Sequence, residues 1–505
     1  MHLTLSRSGR RQADLYSQLE AAIRDGRLRE GDALPSTRDL ASKLGVSRGT
    51  VLRAYEQLRA EGFVEGRHGA GTFVCSGVAR APRRAPASSP LAPRPFFRDL
   101  PPFEGDGPRA PYDFRVGAPD PELFPWDEWR PLVARQLHAR RHAGGYMAPE
   151  GDPAARAAIA RHLGLSRAVR AGADDVLVTS GAQQAFDLIA RTLLAPGDRV
   201  AVEEPGYPQA RRAFAAAGAR IAHVGVDGEG LCVAQLPDDA RLVYVTPSHQ
   251  FPLGVPMSIA RRLALLAWAT RRGAAIVEDD YDSEFRYDGR PLDPLQSLDR
   301  DGRVLYVGTF SKVLVPSLRL GFVVAPASLA ASLRAAKAVA DAHGSPEAQR
   351  ALASFIDDGR FGRHVRRLSR VYRERRERLA AAIARELGEE VTLLPAVAGL
   401  HQCVLFRDAA VDAAAIARRA REAGVIVQPL APYYATRPRA GTGDARAGLC
   451  LGYGMIDAER IDEGIRRLAA ALRPSPVTSP SSGKSWARGT SRRGSSRRAA
   501  RRAVR

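Results

Sequence analysis

Five apolar runs in this 505-residue chain each end in a polar cluster. "DDVLVTSGAQQ" ends in Ser180 and Gly181, and "RVAVEEPGY" in Glu203, Glu204 and Tyr207. "RLVYVTPSHQ" ends in Ser248, His249 and Gln250, and "AAIVEDDYD" in Asp279, Asp280 and Tyr281. "RVLYVGTFSK" ends in Ser311 and Lys312, with Arg319 seven positions on. A lysine amine condenses with an aldehyde to give a Schiff base. An aspartate pairs with a pyridinium nitrogen and makes the ring an electron sink. One tyrosine hydroxyl can bond a phenolic oxygen while a second aromatic ring stacks. A helix opening at "SGAQQ" offers backbone N–H groups and its dipole to an anion. Arg319 could add a bidentate contact to a phosphate.

Taken singly, each cluster has a plainer reading. "EDDYD" alone reads as a solvated turn or a cation site, and "SGAQQ" as an ordinary helix start. The weight lies in their joint placement. Residues 112–473 alternate strand-like apolar runs with amphipathic stretches, which predicts an α/β sheet. Ligands in such sheets bind outside the carboxyl ends of the strands, so the five clusters should converge on one crevice. The ligand that uses them all is pyridoxal 5′-phosphate (PLP).

The chain begins differently. "LYSQLEAAIRDGRL" spaces Leu15, Leu19, Ala22 and Ile23 for one helix face. Ser36 can cap a second helix, with Asp39 at the capping-box position, and Gly45 ends it. "VSRGTVLRAYEQLRAEG" predicts a third helix, capped by Ser47, with Val51, Leu52, Tyr55 and Leu58 inward. "FVEGRHGAGTFV" predicts a hairpin whose Gly69/Gly71 tip could approach a backbone closely. Three helices and a hairpin make a winged helix-turn-helix. Arg48, Thr50 and Arg53 would then sit on the solvent side of a recognition helix, where double-stranded DNA is read.

Length predicts two to four domains, and 45% hydrophobic residues is ordinary for a soluble globular protein. No run reaches the length of a membrane-spanning helix, and the first residues hold no apolar signal-peptide core. The four cysteines are scattered, with no CxxC pair. That pattern argues against a disulfide framework or a zinc site and suits a reducing, cytoplasmic setting. Residues 1–76 form the first expected domain. Residues 77–111, rich in Pro, Ala and Arg, read as a linker. Residues 112–473 form the α/β domain. Residues 474–505 read as a disordered tail, carrying nine of the basic residues behind the net charge of +21 and no acid. Its roles as a solubilising end or as a phosphate attractor stand level.

Two resemblances cover most of the chain. "ALPSTRDLASKLGVSRGTVLRAYEQLRAEGFV" closely resembles the GntR family of bacterial transcription regulators. That likeness implies Arg38, Arg48 and the wing near Gly69 as DNA contacts; Gly49 stands where the family more often has a polar residue. "GYMAPEGDPAARAAIARHL", "SGAQQA", "EEPGYP", "EDDYDSEFRYDGRP" and "GTFSKVLVPSLRLG" resemble fold-type I PLP-dependent aminotransferases. Together they resemble the MocR subfamily, in which a winged helix is fused to an aminotransferase-like domain.

The family likeness implies Lys312 as the Schiff-base residue, Asp279 at the pyridine nitrogen, Tyr281 at the ring hydroxyl and Tyr207 stacked on the ring. It implies Gly181, Ala182, Thr309, Ser311 and Arg319 around the phosphate. Tyr146 would reach the phosphate of a second copy in a homodimer. The sequence also departs from the enzymes. "TPSHQFPLG" replaces their Asn-bearing "NPxNPTG" stretch, so the Asn role falls to His249 or Gln250, or is lost. In "GDARAGLCLGYGMI", Cys450 stands about where a carboxylate-clamping Arg is usual, with Arg446 nearby. The expected function is a DNA-binding regulator that uses PLP to sense an amine, an amino acid or a B6 vitamer. The alternative is a working aminotransferase with an accessory DNA-binding domain.

Overall fold

The computed structural model describes residues 11–67, 70–76, 92–101, 105, 107–138, 145–289, 293–435 and 447–473. The expected linker largely, the tail, Gly69 and Arg446 lie outside these residues. The chain divides into two compact units, Met1–Leu100 and Pro101–Arg505.

In the first unit, α1 (Arg11–Arg24), α2 (Thr37–Leu44) and α3 (Arg48–Ala60) enclose a small apolar core. Leu15, Leu19, Leu40, Val51, Tyr55 and Leu58 fill it. The local signals work as their chemistry requires. Ser36 Oγ accepts the Asp39 N–H at 3.1 Å, and Gly45 closes α2 at φ +63°. Ser47 Oγ accepts the Thr50 N–H at 3.2 Å and opens α3. Strands β1 (Ala33–Leu34), β2 (Val64–Arg67) and β3 (Gly71–Val74) form a sheet in the order β1-β3-β2. The hairpin pairs Val64 with Val74 and Arg67 with Gly71. One expectation fails: Leu52 is 45% exposed. The inward position belongs to Ala54, since i, i+3, i+4 and i+7 counted from Val51 give 54, 55 and 58.

The second unit is built on an eight-stranded sheet. Its strands are β4 (Val176–Thr179), β5 (Arg199–Glu204), β6 (Arg220–Asp227), β7 (Gly230–Leu231), β8 (Ala240–Val245), β9 (Ala275–Asp280), β10 (Val304–Thr309) and β11 (Gly321–Val324). The order is β4-β11-β10-β9-β8-β5-β6-β7. Strands β6, β5, β8, β9 and β10 run parallel, and β11 runs against both of its neighbours. All six residues of β10, "VLYVGT", are buried, as a parallel strand covered on both faces requires. Helix α4 (Ala182–Leu193) follows β4 and buries Phe186, Leu188 and Ile189 beneath the sheet.

Beyond the sheet lie α5 (Ala327–Asp341) and the long α6 (Arg360–Leu387). A smaller antiparallel sheet follows. It joins β12 (Val391–Leu393), β13 (His401–Phe406), β14 (Gln428–Pro429) and β15 (Gly448–Gly452) in the order β12-β13-β15-β14. Helix α7 (Ala458–Leu472) packs on α6. No helix among the described residues is long and apolar enough to cross a membrane.

Candidate functional site

Because β4, β5, β8, β9 and β10 point the same way, their carboxyl ends meet at one edge of the sheet. A cavity of about 190 Å³ opens there. Ala182, Tyr207, Asp279, Tyr281, Thr309, Ser311, Lys312 and Arg319 all line it, as the sequence placed them. Gly117, Gln183, Tyr244, Thr246, Phe251 and Pro316 complete the wall and were not foreseen.

The anion end is assembled from three segments. Gly181 caps α4 at φ +77°, where a Cβ would come within 2.8 Å of Arg319 Nη2. The Arg319 guanidinium donates to the Ser180 carbonyl at 2.7 Å, so it is held beside the helix start. Arg319 itself adopts φ +52°, a left-handed conformation costing roughly 1 kcal/mol outside glycine. Backbone strain of this kind persists where the surroundings fix it, often at a binding site. Gly321 must also be small, because a Cβ there would lie 2.8 Å from Gly181 Cα. Thr309 Oγ1 donates to Ser311 Oγ at 2.9 Å and accepts the Ser311 N–H at 3.2 Å. Helix dipole, guanidinium and two hydroxyls thus face one end of the cavity.

Another part of the wall is acidic and buried. Asp279 is 4% exposed, and burial pushes its carboxyl up to about 7. Tyr244 donates to Oδ2 at 2.6 Å, while Oδ1 is buried with no hydrogen-bond partner. A buried carboxylate oxygen without a donor is costly, and a ring N–H in the cavity would satisfy it. Lys312 lines the same cavity and donates to the Gly117 carbonyl at 2.5 Å. Its charge draws the Asp279 carboxyl downward, against burial. Tyr207 stands over the cavity with its ring edge-on to Phe251, and burial pushes its hydroxyl up to about 12.

His249 does not line the cavity. It is buried behind Tyr281, whose hydroxyl donates to the His249 carbonyl at 3.0 Å and lies 3.0 Å from Nδ1. Nδ1 also sits 3.1 Å from Asp282 Oδ2. His249 therefore fixes Tyr281 and does not itself face the cavity. Gln250 turns away as well, donating to the carbonyls of Pro205 and Phe251. Tyr146 is 91% exposed and meets the His343 ring at 6.0 Å, outside the cavity. Cys450 is buried in β15, directly opposite Cys403 of β13, and does not reach the wall.

In the first unit, Arg38, Arg48 and Arg53 are exposed. Arg48 lies at the start of α3, its Nε 3.4 Å from Thr37 Oγ1 of α2. The Thr50 hydroxyl pairs with Ser47 Oγ at 2.8 Å, which ties both side chains to the opening of the helix.

Residues 11–74 match the model of the bacterial regulatory proteins of the gntR family. Residues 113–466 match that of aminotransferase class I and II. The chain is 38% identical over 472 residues to the probable rhizopine catabolism regulatory protein MocR of Rhizobium meliloti, covering 91% of this chain and 93% of the relative. It is 34% identical to the pyridoxine biosynthesis transcriptional regulator PdxR of Corynebacterium glutamicum, over 88% of this chain and 92% of that one. The structure of Pyrococcus horikoshii kynurenine aminotransferase, in complex with PMP, superposes with a TM-score of 0.66 at 30% identity. That match covers 73% of this chain and 92% of the enzyme. A DNA-reading module of one family and an aminotransferase fold of another therefore share one polypeptide, and the chain belongs to the MocR subfamily of GntR-type transcription regulators.

Proposed function

We propose that this regulator holds PLP on Lys312 and senses an amine, an amino acid or a B6 vitamer through it. The observation that carries the reading is the unpartnered Oδ1 of Asp279, buried in the wall of the same cavity that Arg319 lines. A group with a phosphate at one end and a ring N–H at the other matches both. When bound, PLP supplies an aldehyde carbon that condenses with amines.

The residues of the chain do the rest. Arg319, Thr309, Ser311 and the α4 start hold the phosphate. Asp279, steadied by Tyr244, would accept a hydrogen bond from the ring N–H and stay charged. Tyr281, positioned beside His249, would turn its hydroxyl from the His249 carbonyl to the ring oxygen, and Tyr207 would cover a ring face. Lys312 would present its amine to the bound group from the wall of the cavity. The Lys312 amine, which meets the Gly117 carbonyl, is the contact of the wall that an amine effector would alter. Any effect on DNA requires that the two states of the protein bind the effector unequally.

Arg38, Arg48 and Arg53 would contact DNA, with Ser47 and Thr50 setting the helix start. A homodimer would read two half-sites, each copy offering Tyr146 to the other's phosphate. The intact Lys312, Asp279 and Tyr281 set favours a second reading, a working aminotransferase. Incubation with amino donors and a keto-acid acceptor separates the two. Sustained keto-acid formation supports the enzyme. A spectral change that stops at one equivalent supports the sensor.

A further inference from the structure

The scattered cysteines of the sequence are not all apart in the fold. Cys403 and Cys450 are separated by 47 residues, yet β13 and β15 place them directly opposite each other. Opposed residues of antiparallel strands have Cα atoms about 4.5–5.5 Å apart, inside the range a disulfide spans. Their sulfurs lie 2.7 Å apart, and both residues are free thiols. They are 2% and 0% exposed.

The surroundings favour reaction at Cys403. Burial alone would push its thiol up, but the Cys450 thiol and the His401 imidazole outweigh burial and hold it below the ordinary thiol range. Burial and Cys403 push the Cys450 thiol up. His401 sits two residues from Cys403 on the same face of β13, and its Nε2 lies 2.8 Å from the Pro252 carbonyl. Cys403 Sγ lies 3.0 Å from that same carbonyl. One sulfur is thus prepared to attack and the other waits beside it, the arrangement of a peroxidatic and a resolving thiol. The pair lies close behind the cavity wall. Phe251 lines the cavity, and its ring is 5.6 Å from His401 and 5.1 Å from Tyr433, which packs around the two sulfurs.

We propose that Cys403 and Cys450 are a modification site, a dithiol that small hydroperoxides oxidise to a disulfide behind the effector cavity. The Cys403 thiolate attacks one peroxide oxygen, the O–O bond breaks, and the departing hydroxide leaves as water after taking a proton. Cys403 is then a sulfenic acid. The Cys450 sulfur attacks the Cys403 sulfur, the S–O bond breaks, and a second water leaves with the Cys450 proton. Two thiols and one hydrogen peroxide give one disulfide and two waters. The protein loses two electrons and the peroxide gains them. Burial restricts the site to oxidants near the size of water and protects it from bulky disulfides.

The test does not depend on DNA or on a cofactor. The full chain is treated with hydrogen peroxide, quenched with catalase, unfolded and alkylated, then digested and mapped by mass. The expected result is a Cys403 peptide joined to a Cys450 peptide, released by dithiothreitol, with two of the four thiols lost. Cys403→Ala and Cys450→Ala should each abolish that joined peptide. Alkylation of both cysteines in the treated wild-type protein, or joining of either one to Cys75 or Cys232 instead, would overturn the proposal whether or not the variants fold.

Discussion

Tyr244 donates its hydroxyl to one oxygen of Asp279 at 2.6 Å and leaves the other oxygen of that buried carboxylate without a partner. The pairing explains why Tyr244 sits inside β8, four residues before Ser248 of the polar cluster that follows it. It steadies the charge at one end of the carboxylate and leaves the other free for a ligand. Losing a hydrogen bond to a charged group costs about 1.5–3 kcal/mol. Tyr244→Phe should therefore weaken PLP binding roughly ten- to a hundredfold, read by titrating the stripped protein with the cofactor. Unchanged affinity would remove Asp279 from the ring nitrogen.

Asp279 also makes the cofactor-free protein sensitive to pH. Its carboxyl lies at about 7 in the folded chain, against about 4 when unfolded. Below about pH 4 both states hold the proton, and no penalty arises. As pH rises towards 7 only the unfolded chain releases it, so folding stability falls; above about 7 the penalty is complete. The difference bounds the effect at about 4 kcal/mol. Glu203 and Glu278, also pushed to about 7 by burial, act in the same direction. Asp279→Asn should flatten the fall without abolishing it, as measured by urea unfolding at about pH 5 and about pH 8.

Lys312→Ala should leave the chain folded and remove covalent cofactor attachment. Borohydride reduction of the loaded wild-type protein should fix the cofactor to the peptide holding Lys312. The variant should yield no modified peptide, while circular dichroism stays the same. Modification at another lysine would displace Lys312 from its role.

In the first unit, Arg48→Ala should weaken DNA binding and leave cofactor spectra untouched. If Arg48 meets a phosphate, the salt slope of binding should fall by about one. If it meets a base edge, preference at one position should relax at a cost of about 1–3 kcal/mol. DNA affinity and salt slope equal to wild type would take α3 out of the interface.

Much of this was legible in the sequence because its signals are local. Ser36, Gly45 and Ser47 bound their helices by chemistry that acts within four residues. The apolar runs before Gly181, Tyr207, Asp279 and Lys312 announced strands, and parallel strands bring their carboxyl ends together. What stayed hidden depends on contacts far apart in the chain. Gly117 meets Lys312 from 195 residues away. Cys403 and Cys450 are joined only by strand pairing. His249 reads as a ligand by position, yet the turn after β8 places it behind Tyr281. Leu52 misled because an apolar residue on a helix reads as core, and its angle from Val51 decides otherwise.

In the proposed function, chemistry at Lys312 and DNA binding are coupled. The direct measurement uses the full-length protein and a DNA fragment that it selects from a random-sequence pool. DNA affinity is titrated with the protein stripped, loaded with PLP, and loaded then saturated with an amine that alters its spectrum. Amine affinity is titrated with and without that DNA. Linkage requires the two factors to be equal, and coupling of 1–3 kcal/mol corresponds to about 5- to 150-fold. A shift in that range is expected, the same in both directions and lost in Lys312→Ala. DNA affinity identical in all three states of the wild-type protein would contradict it.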